Sequence, residues 1–401
     1  MNQIESLLDY AKNHVPFHRR RAPDNHLVLE HWPLMAKEDL VAYSLDVSCD
    51  LLSEIRQPGG YLVASGGTTA KPKYAYYDHE EVAALTKNIA NHFMSNGMAA
   101  GDKVVNYMTA PDMWSAFILV DKALSFLPVT VFPLGYSPNM DSAMEVFGHF
   151  KPNTIIGISS MILNFARHTA QHNPRIRVQK VYYAGEPMPQ ASRNLLSSIL
   201  GCEFVRSAGY ATTDVGSIAW QCPHCEPGEH YAFKDTLVEI IDDEIVVTPL
   251  FRRAMPIIRY RTGDEGLWAS PSCDCGQGAP KFKLRGRVDN LQNVWGCWVG
   301  YDDIVGILES LDIGCMAVQM RIQPGEDGGQ ALFVRFECLN PPDTKTMGGL
   351  RDRFYEVCEN VRETVPRERL ERDLFFESAP AGTLERNRRT GKVIPVIDAR
   401  G

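Results

Sequence analysis

The chain has 401 residues, 44% of them hydrophobic and 22% charged, and carries a formal net charge of -8. This composition is typical of a soluble globular protein, and the length predicts two or three domains. The acidic balance and the lack of a long basic stripe argue against nucleic acid as the main partner. No apolar run reaches the roughly 20 residues of a membrane span, and the N-terminus lacks the apolar core of a signal peptide, so a cytoplasmic location is expected.

Apolar spacing predicts a helix over residues 1–20 that stops near Pro16, and a second helix over 80–97. Between about residues 100 and 210, short apolar runs alternate with helical patterns, which indicates a parallel sheet covered on both faces. The predicted strands are 103–107, 129–132, 154–158 and 180–183, and the predicted helices are 114–127, 140–150, 159–172 and 191–200.

After residue 215 the pattern changes to short strands and turns. Strands are predicted at 237–241, 244–248 and 257–260. A separate α+β pattern starts near 290, with predicted helices 302–311 and 347–364 and predicted strands 315–322 and 331–337. The fold class expected is therefore α/β, with a large N-terminal domain over 1–286 that includes a β-rich part, and a small, mobile α+β domain over 287–401.

A loop rich in glycine and hydroxyl groups follows the strand-like run at 61–64. Its residues, 65–73, have the sequence SGGTTAKPK. Glycines let backbone N–H groups approach a phosphate, hydroxyls add hydrogen bonds, and lysine supplies charge. The Walker pattern is absent, and a phosphate-binding loop and a solvated hairpin turn both fit these residues when they are taken alone.

Two further segments place polar side chains beyond strand-like runs. Residues 207–216 (SAGYATTDVG) combine a ring, hydroxyls and a carboxylate, which suit a purine and a Mg²⁺ ion beside phosphates. The alternative is a turn that opens a helix with Asp214 as its cap. Residues 259–264 (RYRTGD) end in a carboxylate that could bind both hydroxyls of a ribose; the alternative is a β-turn with a solvated Asp264.

Together these segments resemble the adenylate-forming superfamily, which includes acyl-CoA synthetases, adenylation domains and luciferases. Residues 65–73 resemble its phosphate loop, 210–214 its aromatic-x-x-Thr-Glu motif, and 260–264 its Tyr-x-Thr-Gly-Asp motif. Further along the chain, 286–289 (GRVD) resemble its interdomain hinge, and 389–392 (RTGK) resemble the loop that carries its catalytic lysine. The five motifs occur in the family's order over most of the chain.

Three other segments resemble the phenylacetate–CoA ligase branch, which contains short aryl-acid ligases of antibiotic biosynthesis, phenazine-type ligases among them. These are HVPFHR at 14–19, MAKEDL at 35–40 and AGEP at 184–187. The resemblance implies ATP-dependent activation of an aryl carboxylic acid to an acyl-adenylate, release of pyrophosphate, and transfer to a thiol, for which CoA is expected. It also implies a homodimer.

Two alternatives to this activity stay open. One is transfer to the phosphopantetheine of a carrier protein or to a partner enzyme. The other is a non-catalytic nucleotide-binding module, because fold does not imply function.

The acid itself is expected near residues 108–114, 132–136 and 208–210, whose apolar and aromatic side chains suit a flat ring.

The resemblance also implies roles for single residues. Lys392 would bridge the attacking carboxylate and the α-phosphate, Asp214 would hold Mg²⁺, and Asp289 would be the hinge. Lys392, Thr213 and Asp214 form the expected catalytic group, and a solvated tail lysine is the alternative for Lys392. The expected nucleotide-binding residues are Ser65, Gly66, Gly67, Thr68, Thr69, Lys73, Gly185, Glu186, Pro187, Gly209, Tyr210, Asp264 and Arg287.

The chain departs from the family's pattern at three positions. Ala70 stands where glycine is usual, Asp214 where glutamate is usual, and Pro395 where a basic residue is frequent. Each departure is expected to alter turnover rather than abolish it.

Four of the ten cysteines form two close pairs. In a reducing compartment such pairs favour a metal site over disulfides. The branch resemblance implies a structural zinc with ligands from Cys222 or Cys225, His230, Cys273 and Cys275. Reduced thiols in turns are the alternative.

Overall fold

The structure, a computed structural model, describes most of the chain. The described residues are 2–65, 72–110, 113–137, 139–270, 273–276, 278–311, 313–325, 329–338, 341–387 and 391–400, with the backbone alone at 289. None of the helices within these ranges combines the length and the apolar character that crossing a membrane requires.

The N-terminal segment forms short helices and a hairpin. Its elements are α1 (Gln3–His14), α2 (Pro16–Arg21), α3 (Lys37–Ala42), β1 (Gly60–Ala64) and β2 (Tyr74–Asp78). Asn2 and Glu5 form a capping box that starts α1. The single helix predicted over 1–20 is two helices, because Pro16 cannot donate within α1 and instead takes the first turn of α2.

A parallel sheet covered by helices forms the centre of the large part of the chain. Its elements are α4 (His79–Ser95), β3 (Lys103–Tyr107), α5 (Ala116–Leu124), β4 (Thr130–Phe132), α6 (Asp141–Phe150), β5 (Thr154–Ile158), α7 (Ser159–His172), β6 (Lys180–Ala184), α8 (Gln190–Leu200) and β7 (Phe204–Ser207). The strand order is β4-β3-β5-β6-β7. The chain therefore adds β4 on one side of β3 and then crosses back to add β5, β6 and β7 on the other side, so the order of strands reverses beside β3. Ligands bind at the carboxyl ends of strands near such a reversal.

A seven-stranded antiparallel sheet follows. Its strands are β8 (Tyr210–Thr212), β9 (Gly216–Trp220), β10 (Glu229–Ala232), β11 (Thr236–Ile241), β12 (Glu244–Pro249), β13 (Tyr260–Trp268) and β14 (Lys281–Arg287). The sheet order is β11-β12-β13-β14-β10-β9-β8. The register of β13 on β14 sets Asp264 opposite Arg287, so pairing of the backbone brings two expected nucleotide ligands together.

The remaining chain builds a separate core. Its elements are β15 (Leu291–Val294), β16 (Cys297–Gly300), α9 (Tyr301–Ser310), β17 (Cys315–Pro324), β18 (Gln330–Cys338), α10 (Thr344–Val357), α11 (Glu359–Thr364), α12 (Arg367–Asp373), β19 (Leu374–Ala379) and β20 (Val396–Asp398). Val318, Phe336 and Phe354 are buried in this core, whereas Met316 is buried in the core of the parallel sheet. Met316 thus joins the two parts of the chain.

These elements confirm the predicted fold class, an α/β architecture with a parallel sheet flanked by helices and further sheets. The strand predicted at 257–260 is wrong in its bounds, since β13 begins at Tyr260. The helix predicted at 347–364 is two helices that meet at Cys358.

Two buried histidines make stability depend on pH. Burial lowers the pKa of His18 to about 4 and that of His92 to about 3, whereas an unfolded histidine titrates near pH 6.5. The unfolded state therefore binds more protons below pH 6.5, so stability is retained above that pH and lost as the pH falls. At pH 5 each histidine is expected to lower the free energy of unfolding by about 2 kcal/mol.

Urea unfolding at pH 7.5 and pH 5 measures this effect. The variant His92→Leu is expected to lose about 2 kcal/mol less than the unmodified protein over that interval. His149→Leu, at an exposed position of α6, is the matched control and should lose as much as the unmodified protein. If His92→Leu loses as much stability between pH 7.5 and pH 5 as the unmodified protein does, His92 does not contribute to the pH dependence.

Candidate active site

The two ends of the predicted phosphate loop meet at the end of the β1–β2 hairpin. The Ser65 amide donates to the Lys73 carbonyl at 2.8 Å, and the Lys73 amide donates to the Ser65 hydroxyl at 3.0 Å. The loop residues expected to bind phosphate between them (Gly66, Gly67, Thr68 and Thr69) and Ala70 lie outside the described residues. The hairpin therefore fixes where the loop leaves and re-enters the fold.

Lys73 extends from this hairpin to Asp214. Its ammonium forms an ion pair with the Asp214 carboxylate and donates to the Tyr260 hydroxyl at 2.9 Å. The Tyr260 hydroxyl in turn donates to Asp214 Oδ2 at 3.0 Å, and burial beside Asp214 raises the pKa of Tyr260 well above its ordinary value. Three residues from three distant segments thus form one buried polar group.

The second oxygen of Asp214 fits a magnesium ion. Asp214 is only 3% exposed, and its Oδ1 has no hydrogen-bond partner among the described residues. A buried carboxylate oxygen normally has a partner, and Mg²⁺ prefers carboxylate oxygens as ligands. A buried carboxylate oxygen without a hydrogen-bond partner is what we expect of a Mg²⁺ ligand when the ion is absent.

Arg252 holds the backbone around this group. Its fully buried guanidinium donates to the Asp214 carbonyl at 3.1 Å and to the Tyr76 carbonyl at 2.7 Å. It lies 3.7 Å from the centroid of the Tyr77 ring and 3.5 Å from the Glu81 carboxylate. Because Tyr76 belongs to β2, Arg252 ties the phosphate-loop hairpin to the segment that carries Asp214.

Thr213, expected in the catalytic group, is half-buried. Its carbonyl accepts a hydrogen bond from the Tyr77 hydroxyl at 2.7 Å. This contact adds a second tie between β2 and the Asp214 segment.

The predicted ribose and adenine residues also meet. The Tyr210 hydroxyl donates to Asp264 Oδ2 at 2.6 Å, and Arg287 donates to Asp264 Oδ1 at 3.1 Å. Gly209 precedes Tyr210 with φ +112°, and a Cβ there would lie 3.0 Å from the Ala219 carbonyl, so only glycine fits without strain. Both oxygens of Asp264 are thus held in place, and each keeps a further lone pair that a ribose hydroxyl could use.

Lys392 is seated at the carboxyl end of β6. A Cβ added to Gly185 would lie 2.9 Å from Lys392 Nζ, and Nζ is 5.2 Å from the centroid of the Trp114 ring. Burial lowers the pKa of Lys392, and the nearby Glu186 carboxylate opposes that shift. Lys392 is thus half-buried against the carboxyl end of β6 and does not extend freely into solvent.

The other residues of the AGEP segment surround this seat. Glu186 accepts hydrogen bonds from the Val393 amide at 2.9 Å and the Ser160 amide at 3.0 Å. Gly185 and Pro187 are exposed, which leaves their surface open to a ligand.

Three cysteines form a candidate metal centre. The sulfurs of Cys222, Cys273 and Cys275 all lie within 4.8 Å of one another. Cys225 Sγ is 3.6 Å from Cys222 Sγ. The Tyr231 hydroxyl lowers the pKa of the Cys273 thiol, and a thiolate is the form that binds zinc. The donor set therefore fits a soft tetrahedral ion.

His230, expected as a zinc ligand, is not part of the three-sulfur group. Its Nδ1 lies 2.9 Å from the Gly228 carbonyl, and its Nε2 lies 3.4 Å from the Ser207 hydroxyl. The ring also packs 6.3 Å from Tyr210 and from Phe282, centroid to centroid. His230 therefore packs against Tyr210, and both of its ring nitrogens face oxygen atoms.

Asp289 is described by its backbone alone, in the short turn Val288–Asn290. The contacts of Tyr260, Arg252 and Trp114 were not predicted from the sequence. For Tyr260 a signal existed, since it lies in the motif that supplies Asp264.

Similarity to known proteins was found in sequence and in structure. No family model matches the chain. Indoleacetate–lysine synthetase from Pseudomonas savastanoi is 22% identical over 241 residues, 58% of this chain and 59% of that protein. Phenylacetate–coenzyme A ligase from Pseudomonas putida is 25% identical over 294 residues, 66% of this chain and 65% of that protein. The chain thus spans less than two thirds of the length of either relative.

Solved structures share the fold over a larger share of the chain. 2-Hydroxyisobutyryl-CoA ligase, in its postadenylation state with 2-HIB-AMP, aligns with a TM-score of 0.75 at 18% identity, over 99% of this chain and 88% of that one. The anthranilate CoA ligase AuaEII with anthranoyl-AMP aligns with a TM-score of 0.55 at 14% identity, over 83% of this chain and 65% of that one. The chain therefore has the fold of the adenylate-forming acyl-CoA ligases and is similar in sequence to phenylacetate–CoA ligases, which confirms the resemblance recognised in its motifs.

Proposed function

We propose that the protein activates an aromatic carboxylic acid with ATP, releases pyrophosphate, and transfers the acyl group from the adenylate to CoA. The observation that carries this proposal is the seat of Lys392. A half-buried lysine from the C-terminal part of the chain packs against Gly185, at the carboxyl end of β6. Ligands of parallel α/β sheets bind at this edge.

In the adenylation step, a carboxylate oxygen of the acid attacks the α-phosphorus of ATP. The bond from the α-phosphorus to the bridging oxygen breaks, and pyrophosphate leaves with the electron pair. Catalysis of such a step depends mainly on positioning and on stabilising negative charge. Lys392 would place its ammonium between the carboxylate and the α-phosphate, where the low local dielectric strengthens its effect.

The far end of the ATP would lie against the phosphate-loop hairpin. Lys73 would hold the departing phosphates, and Tyr260 would keep the Asp214 carboxylate oriented. Mg²⁺, when bound, would be held by Asp214 and would neutralise phosphate charge. Because Lys73 pairs with Asp214, we expect its ammonium to turn toward the phosphates when the nucleotide binds.

The nucleoside would lie between the parallel sheet and the seven-stranded antiparallel sheet. We assign the ribose to Asp264, with Arg287 and Tyr210 as the partners that orient it. The adenine would lie near Tyr210, Gly209 and the 185–187 segment.

The preference for an aromatic acid rests on two supports. Several known similar proteins carry aromatic acids in their names: phenylacetate, indoleacetate and anthranilate. The region expected for the acid is rich in rings: Tyr136 packs 5.5 Å from the core residue Tyr107, and Trp114 and Phe132 lie against the same core. Apolar and aromatic walls with few polar groups are typical of pockets for such ligands.

A second candidate acceptor is an amine. Indoleacetate–lysine synthetase is among the similar proteins, and its name describes an acyl group joined to an amine. Mass spectrometry of reactions that contain an aryl acid, ATP and either CoA, lysine or neither distinguishes the acceptors. Acyl-CoA formed only with CoA supports the proposal, whereas an amide formed with lysine, or no product beyond the adenylate, would overturn the choice of CoA.

We assign the cysteine group to a structural zinc. Cys222, Cys273 and Cys275 supply three sulfurs, and the geometry favours Cys225 over His230 as the fourth ligand. Four protein ligands would close the site, as in structural zinc centres.

Loss of this metal is expected to destabilise the protein. Cys273→Ser should lower the zinc content from about one ion per chain to near zero and lower the thermal midpoint by roughly 5 °C or more. Elemental analysis and calorimetry measure both. Cys49→Ser, at an exposed cysteine, is the control and should change neither. Unmodified protein that is free of zinc after growth with zinc would contradict the assignment.

The change from adenylation to thioester formation would need a rotation of the C-terminal part, 287–401. We place its pivot at Asp289, in the turn between β14 and β15. A homodimer, transfer to a carrier protein, a cytoplasmic location and a place in antibiotic biosynthesis stay predictions of the resemblance.

A further inference from the structure

The Glu186 side chain joins two parts of the chain that are distant in sequence. One carboxylate oxygen accepts from the Ser160 amide at 3.0 Å, in the first turn of α7. The other accepts from the Val393 amide at 2.9 Å. Val393 directly follows Lys392, so the second bond fixes the backbone next to the lysine at the site.

A carboxylate can accept both bonds at once, which its amide analogue cannot do. A carboxylate accepts at both oxygens, whereas an amide accepts at one and donates at the other. The start of α7, a helix of 14 residues, also favours negative charge through its dipole. Glu186 is therefore held by the parallel-sheet part of the molecule, with one oxygen directed at the C-terminal segment.

Two backbone contacts among the described residues shape the turn around Lys392. The Lys392 carbonyl accepts from the Asn387 amide at 2.8 Å, and Arg386 donates to the Gly391 carbonyl at 3.1 Å. These contacts shape the turn itself and do not attach it to the parallel sheet. The Glu186 bond to Val393 does attach it, next to the residue that must be placed.

We propose that Glu186 is a positioning residue that seats Lys392 for adenylation, through its hydrogen bond to the Val393 amide. This inference rests on the proposed function, and it adds to the expected role of the 185–187 segment beside the adenine. The backbone of that segment can face the nucleotide while the Glu186 side chain holds the lysine loop. Glu186 would not act in thioester transfer, for which the C-terminal part has to leave this seat.

The isosteric variant Glu186→Gln tests the proposal. The kcat of acid-dependent ATP–pyrophosphate exchange should fall roughly 10-fold, as expected for loss of a hydrogen bond to a charged group. The KM for ATP should change little. Acyl-CoA formation from supplied acyl-adenylate should stay within about 2-fold. Glu385→Gln is the matched control, because that side chain pairs with Arg321 at the surface, and it should leave both reactions unchanged.

A double-mutant cycle separates positioning from a general structural effect. If Glu186 acts through Lys392, then Glu186→Gln should change residual exchange little when Lys392 is already alanine. An equal 10-fold loss in both backgrounds, or a rise in the KM for ATP without loss of kcat, would overturn the proposal.

Amide hydrogen exchange of residues 391–393 gives a readout that needs no turnover. Faster exchange there in Glu186→Ala, with the rest of the chain unchanged, is expected, and unchanged protection would overturn the contact. If the unmodified protein shows no pyrophosphate exchange with any acid, the proposed function fails, while this measurement still decides whether Glu186 holds the segment.

Discussion

Replacing Lys392 with alanine is expected to lower acid-dependent ATP–pyrophosphate exchange by about 10²- to 10³-fold, the usual cost of one preorganised donor to a developing negative charge. The reason is its place in the structure: a half-buried ammonium at the carboxyl end of β6, beside Gly185 and Trp114. Exchange measured at saturating ATP, with the acid as the varied substrate, gives the loss directly.

The loss should be confined to the first half of the reaction. Acyl-CoA formation from supplied acyl-adenylate should stay within about 3-fold, because charge develops at a different atom in that step. Lys345→Ala, at an exposed position of α10, is the control and should keep full exchange. Full exchange in Lys392→Ala would remove this lysine from the chemistry.

Replacing Asp214 with asparagine is expected to lower the same exchange by about 10²-fold or more, and to raise the Mg²⁺ concentration needed for half-maximal rate. The substitution keeps the shape of the side chain but removes the charge that would bind Mg²⁺ and that pairs with Lys73. A magnesium titration of the exchange rate measures both effects.

An exposed carboxylate provides the comparison. Asp46→Asn, at an exposed position before β1, should leave the rate and the magnesium dependence unchanged. If Asp214→Asn has an unshifted magnesium titration, the orphaned oxygen of Asp214 is not the magnesium ligand.

The parallel sheet could be predicted closely because its signal is local. All five residues of β5 are buried, so burial on both faces shows as a continuous apolar run. The antiparallel sheet was predicted less completely, with three of its strands found and one of these misplaced. The strand β14 is interrupted by charged residues, and one of its partners, β10, lies far earlier in the chain, with Glu229 opposite Lys283.

In the candidate site, too, the features with a local sequence signal were predicted and those that depend on distant residues were not. The motifs predicted Lys73, Asp214 and Asp264 as ligands, because glycines, hydroxyls and carboxylates beyond strands carry a local pattern. The Asp214 contacts of Arg252 and Tyr260 could not be predicted, since they join residues 38 and 46 positions apart. Long-range packing, which no local pattern encodes, decides those contacts.

The cysteines show where a resemblance needs the geometry. The branch resemblance implied His230 as a ligand beside the two cysteine pairs. In the fold, His230 lies on β10 with its ring toward Tyr210 and Phe282, while the sulfurs gather elsewhere. The direction of side chains on alternate faces of a strand decides this outcome.

We expect the chain to form an acyl-adenylate from an aromatic acid. ATP–pyrophosphate exchange across a panel of aromatic and aliphatic carboxylates tests it most directly, with protein first shown by calorimetry to bind ATP. We expect exchange that depends on an aromatic acid, on Mg²⁺ and on Lys392. Exchange with aliphatic acids alone would contradict the substrate class, and ATP binding without exchange for any acid would indicate a non-catalytic nucleotide-binding module.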